Sequence, residues 1–154
     1  MRAFIKGVGG RLKRFCGSQD SYIILDSSKA QGGTWTEGGC LILAHAMQTM
    51  LARYDIPSSV RFMCNTQPQH AFCEVVLESG DVVLLDGDGA STMAEMFKRW
   101  IEDEVVAQPI GYKRLSEYPD NMPQPGVEQD ALVEALQEAL VKSVERKDKE
   151  LFHA

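Results

Sequence analysis

The chain has 154 residues, 44% of them apolar and 25% charged, with a formal net charge of −6. That composition suits one soluble domain whose core is large enough to need neither disulfides nor a structural metal. The acidic balance argues against a nucleic-acid partner, and the longest apolar run, Leu41 to Met47, is broken by His45 and too short to span a bilayer.

The first residues, MRAFIKGVGGRLKRFC, are basic through Arg2, Lys6, Arg11, Lys13 and Arg14. They lack the apolar core and small-residue cleavage site of a signal peptide. Residues 1–20 read as a basic N-terminal arm, solvated or loosely docked, with contact to a membrane surface or an acidic partner as the alternative. The four cysteines, Cys16, Cys40, Cys64 and Cys73, show no zinc-ligand spacing, so neither metal nor cofactor is expected. With no export signal, reduced thiols and a cytoplasmic location are expected. Cys64 and Cys73 flank a predicted hairpin and are the pair to test for a disulfide.

SYIILDS, from Ser21 to Ser27, predicts a short strand, and the Gly, Ser and Thr of the next stretch, through Gly39, predict a loop. Cys40 to Tyr54 predicts a helix, apolar on nearly every face and therefore central. Pro57 ends it, because proline disfavours helix at the residue before it. Three strands with short turns follow, Ser59–Asn65, His70–Glu78 and Val82–Asp86, and predict an antiparallel meander. GDGAS stops the third. Ser91 opens a helix that Thr92 caps, with Met93, Met96, Phe97, Trp100 and Ile101 on one packed face. Residues 108–126 read as irregular, with Pro109, Pro119, Pro123 and Pro125. A last helix, 127–149, carries a stripe of Leu132, Val133, Leu136, Leu140 and Val144, and Glu145 and Lys149 are spaced for an i, i+4 pair. The whole reads as one α+β domain over 1–154: a buried helix on an antiparallel sheet, with further helices C-terminal to it.

Three residues with chemistry fall at element ends: Cys40 at a helix start, His70 at a strand start and Asp86 at a strand end. In a meander the start of one strand lies beside the end of the next, which brings His70 and Asp86 together across the hairpin. A helix packed with its N-terminus at the same end adds Cys40. Unpaired N–H groups and the partial positive charge there favour a thiolate. An imidazole beside it holds the thiol proton and returns it to a leaving group, and a carboxylate on the other ring nitrogen fixes the tautomer. Gly38 and Gly39 let a substrate backbone approach closely. Asp88 is the alternative to Asp86 if the register differs. Glu74 shares a strand face with His70, lining the cleft or solvated. His45 lies about 140° round the helix from Cys40, a poor catalytic partner. DGDG lacks the ligand set of a calcium loop. Cys73 points away from His70 and reads as core.

The stretch from Gly38 to Met63, GGCLILAHAMQTMLARYDIPSSVRFM, followed by QHAFCEVVLESGDVVLLDGDG, resembles the transglutaminase-like superfamily of papain-like cysteine enzymes. That family shows a Cys opening a hydrophobic helix, a G-I-P-x-R-V stretch entering a strand, an H-A-W-x-E-V strand and a strand ending in Asp. The corresponding residues are Cys40, Asp55 to Arg61, His70 to Val75, and Asp86. Two positions depart from the pattern: Leu41 follows the Cys where an aromatic is common, and Val82 or Val83 replaces a frequent Trp. The resemblance implies a papain/transglutaminase-like fold with Cys40 as nucleophile, His70 as base and Asp86 as orienting residue. It implies acyl transfer from a protein or peptide substrate through a thioester. Gln31 stands upstream of Cys40 as the oxyanion glutamine does in papain-like peptidases, and with Trp35 and Gly39 it makes a candidate oxyanion and cleft set. GGC and LLDGDG also resemble arylamine N-acetyltransferases, whose acyl-CoA region has no counterpart here. The rival from another class is a non-catalytic binding module on the same fold.

Overall fold

A computed structural model describes residues 2–21, 35, 39–64, 68–103, 111–114 and 129–142. Among them the elements, in chain order, are α1 (Arg2–Cys16), α2 (Cys40–Ala52), β1 (Ser59–Cys64), β2 (Pro68–Val76), β3 (Val82–Asp86), β4 (Gly89–Ser91), α3 (Met93–Asp103), β5 (Gly111–Arg114), α4 (Gln129–Gln137) and a π-helical turn, Glu138–Lys142. The strands make one antiparallel sheet in the order β4-β3-β2-β1-β5. The fold is α+β.

Both faces of the sheet are covered. Alternate residues along β2 and β3 divide between them, because successive strand side chains point to opposite sides. Cys73, Val75 and Leu85 join Leu43, Met47 and Met50 of α2, Ile5, Val8 and Leu12 of α1, and Leu132 and Leu136 of α4. Phe72, Leu84 and Met63 pack instead with Met96 of α3, flanked by Met93 and Phe97. Burying each such Leu or Met contributes about 1.5–3 kcal/mol, and this packing holds α2 against the sheet. The side chains of Trp100 and Ile101, expected on the same α3 face, lie outside the described residues.

Local devices fix where elements begin and end. Helix α2 closes earlier than expected, at Ala52, in a Schellman turn. The Ile56 N–H donates to the Leu51 carbonyl at 3.0 Å and the Asp55 N–H to Ala52 at 3.1 Å, with Asp55 left-handed at φ 58°. Thr92 and Glu95 form a reciprocal capping box: the Glu95 N–H donates to Thr92 Oγ1 at 3.1 Å, and the Thr92 N–H to Glu95 Oε1 at 3.2 Å. The β2–β3 hairpin turns through Gly80 at φ 89° and pairs Cys73 with Leu85 and Val76 with Val82.

Several expectations change. The basic N-terminal arm is a core helix: Ile5, Val8, Leu12 and Cys16 are buried, while Lys6, Lys13 and Arg14 face solvent. Three glycines within one amphipathic stripe hid it, since glycine lowers helix propensity. Gly9 is there because α1 lies against β4, where a Cβ would come within 2.5 Å of the Ala90 Cβ. GDGAS does not merely end β3 but returns as β4, pairing Leu84 with Ser91 and Asp86 with Gly89. The segment read as irregular contains β5, paired with β1. Cys64 and Cys73 do not face each other: Cys73 pairs with Val60 and Cys64 with Pro68, and Cys73 is a free thiol. Ser21, the first residue of the strand expected over Ser21 to Ser27, is helical, and the rest of that run, the remainder of 108–126 and the helix tail beyond Lys142 lie outside the described residues. No helix among the described residues is long and apolar enough to cross a membrane.

The adjacent glycines of α1 make a paired test. Gly9→Ala forces a methyl into Ala90 and should lower stability by about 1–3 kcal/mol. Gly10 has nothing within 4 Å of the added Cβ, so Gly10→Ala should raise stability by about 0.5–1 kcal/mol. Urea denaturation of the two variants beside the parent reads both signs.

Candidate active site

Cys40 is the first residue of α2, after Gly39 at φ −90° and ψ −7° with no side-chain cap. Gly39 offers no side chain to cap the first turn, whose N–H groups stand at the positive end of the helix. The thiol is half-buried. Its sulfur accepts a hydrogen bond from the Ala71 N–H on β2 at 3.5 Å. The contact joins the start of α2 to the residue after His70.

His70 and Asp86 lie on neighbouring strands. The hairpin register pairs Cys73 with Leu85 and runs on toward His70 at the same end as Asp86. The His70 Nε2–H donates to Asp86 Oδ2 at 2.7 Å, and both residues are buried, 1% and 3% exposed. With Nε2 engaged by the carboxylate, Nδ1 is the ring nitrogen left for the Cys40 sulfur. Asp86 Oδ1 accepts the Asp88 N–H at 2.9 Å.

Electrostatics follow from this arrangement. Burial works against charge on His70, but its hydrogen bonds to Asp86 and Cys40, and the charges of both, overcome that and push its pKa up to about 9. Burial likewise opposes the Cys40 thiolate. The hydrogen bond and charge of His70, aided by the N–H groups of Ala71 and Leu41, outweigh it, and the Cys40 pKa falls below its ordinary value. The two shifts run in the directions that favour a thiolate beside an imidazolium. The other free thiols behave oppositely. Burial, then the nearby charges of Asp86 and Asp88, push Cys16 up to about 12, and burial does the same for Cys73.

The remaining candidates divide. Gly39 stands at the α2 start beside the thiol. Trp35 is not a cleft wall: it is 2% exposed in the core, its indole N–H donating to Ser21 Oγ at 3.0 Å. Gln31 lies outside the described residues. Asp88 is exposed and contributes its backbone N–H to Asp86. Glu74 is not solvated; it is 5% exposed and ion-paired with Arg61 at 3.2 Å. Burial lowers the pKa of His45, whose helical position keeps it from the thiol. Among the described residues no cluster of His, Cys, Asp or Glu is arranged to hold a metal ion.

One neighbour was not foreseen. Arg99 of α3 reaches Asp86 Oδ2 at 3.6 Å and Asp88 Oδ2 at 3.5 Å, and its Nη1 donates to Ser91 Oγ at 3.0 Å. Its sequence signal was weak: an Arg three residues after Met96, bordering the apolar stripe of a helix that follows closely on Asp86. Comparison with protein-family models, with curated proteins and with solved structures returns no match.

His70 keeps its proton to about pH 9 in the folded chain, against 6.5 ordinarily, so its contribution to stability is complete below about pH 6.5 and is lost as pH rises through 9. In the parent, the downward shift of Cys40 acts in the opposite sense and offsets part of this change. Cys40→Ala removes that offset and leaves Asp86 holding the ring above its ordinary value. Thermal melts of Cys40→Ala between pH 6 and 10 should show Tm falling across this window, and the Cys40→Ala/His70→Ala double variant should lose that slope.

Proposed function

We propose that this chain is a cysteine-dependent acyl-transfer enzyme with a papain/transglutaminase-like fold, acting on amide or ester carbonyls of a protein or peptide. The observation that carries the reading is the run of contacts from Cys40 through His70 to Asp86, in which the sulfur loses its proton more readily than usual and the ring keeps one. A structural cysteine needs neither shift. Cys16 and Cys73, buried and pushed up to about 12, serve as internal contrasts.

In the proposed reaction the Cys40 thiolate attacks the carbonyl carbon, and the developing oxyanion is met by backbone N–H groups at the α2 start. As the carbon–nitrogen or carbon–oxygen bond breaks, the His70 imidazolium gives its proton to the leaving group. The acyl group stays on Cys40 as a thioester. His70, now neutral, takes a proton from an incoming water or amine, which attacks the thioester and releases the thiolate. Asp86 holds the ring orientation through both halves. Hydrolysis of a peptide or isopeptide bond and deamidation of glutamine are the water-accepting versions, and transglutamination is the amine-accepting one.

Iodoacetamide tests the premise. Near pH 7 Cys40 should be alkylated ahead of Cys16 and Cys73, and His70→Ala should slow it by about tenfold or more, since each pKa unit regained costs about tenfold in thiolate. Mass spectrometry of tryptic peptides reads the site. Incubation with an activated peptide ester should add an acyl group to Cys40 and none to Cys40→Ala. Slow, equal labelling of the thiols would overturn the enzyme reading in favour of a binding module.

A further inference from the structure

Asp86 faces two cations. Its Oδ2 accepts from His70 Nε2 at 2.7 Å and lies 3.6 Å from Arg99 Nη2, while Oδ1 is held by the Asp88 N–H at 2.9 Å. The Arg99 side chain is held from two further directions: Nη1 donates to Ser91 Oγ at 3.0 Å, and Nε lies 3.5 Å from Asp88 Oδ2. It comes from α3, on the opposite face of the sheet from α2 and its thiol. Nothing in the acyl-transfer chemistry requires a guanidinium there, and α3 would pack through Met93, Met96 and Phe97 without it.

We infer that Arg99 is a positioning residue for this site, which by sharing the Asp86 carboxylate limits how tightly His70 is held as an imidazolium. The inference rests on the proposed roles of Cys40 and His70. A buried carboxylate serving one imidazolium alone would bind its proton hard, and a proton bound hard is delivered slowly to a leaving amine. A second cation on the same oxygen weakens that hold. Because the Asp88 N–H still fixes Oδ1, removal of Arg99 leaves the carboxylate oriented and changes chiefly its charge balance.

Among the described residues, the other groups placed around the ring do not duplicate this effect. Cys40 faces it from α2 and Asp86 from β3, and both favour its charged form. Met63 of β1, its partner in the register, is apolar. Cys16 of α1 lies near Asp86 and Asp88 as a neutral thiol. Asp88, exposed in the turn, adds negative charge near Asp86. Arg99 supplies the positive charge that opposes these carboxylates.

The test is an NMR titration of the full chain labelled at histidine, with the His70 signal assigned by its loss in His70→Ala. Arg99→Gln and Arg99→Met should each move the His70 midpoint upward by about one pH unit, and Arg99→Lys should leave it near the parent value. Gln keeps a hydrogen-bonding reach to Ser91 and Met keeps the chain length, so one folded variant of the two suffices. A role in packing alone would lower Tm without moving the midpoint. An unchanged or lowered midpoint in a folded Gln or Met variant overturns the inference. Iodoacetamide labelling of the same samples separates the two levels. If His70-dependent alkylation of Cys40 persists in the parent while the midpoint ignores Arg99, the inference falls and the enzyme reading stands. If the parent shows no such alkylation, both fall.

Discussion

The hydrogen bond between His70 and Asp86 is the interaction on which the rest depends. Both side chains are almost wholly buried, and an unpaired charge in such a place costs several kcal/mol. The charges must therefore compensate one another within the site. The Cys40 sulfur and the Asp86 carboxylate face the His70 ring and the Arg99 guanidinium, with further hydrogen bonds from the N–H groups of Ala71 and Asp88.

That assembly requires a sheet covered on both sides. From one face, α2 brings the sulfur to the backbone of β2, and from the other α3 brings Arg99 to β3. The central hairpin supplies the imidazole and the carboxylate between them. Packing above and below sets the distances, because the side chains that fix α2 and α3 on the sheet interdigitate at close to crystal density and tolerate little movement. Helix α1 adds a third constraint: the contact of Gly9 with Ala90 seats it against β4, the strand that continues from Asp86 through Gly89. The N-terminal helix thus lies close to the Asp86 end of the site.

Much of the local structure was legible in the residues. The helix opened by Cys40, the three meander strands and the capped helix after Thr92 are all encoded by short-range features. These are an unbroken apolar run, alternation bounded by turn residues, and a threonine three positions before a glutamate. The His70–Asp86 meeting was legible too, because a tight hairpin fixes register and register fixes neighbours. What escaped was amphipathicity diluted by glycine in α1, and strands too short to show a period in β4 and β5. The burial of Glu74 and Trp35 was not legible for a common reason: each is polar or amphipathic, and its burial follows from a distant partner, Arg61 or Ser21, that no local pattern announces.

The sequence by itself determined the α+β class, the order of the central elements and the presence of a cysteine, a histidine and an aspartate at their ends. Those are consequences of periodicity and turn chemistry, which act over a few residues. Only the tertiary structure decided that the sulfur meets the Ala71 N–H, that Glu74 is buried against Arg61, and that Arg99 closes on Asp86 from the far face. Those depend on contacts between residues distant in the chain, where packing rather than local preference selects the neighbour.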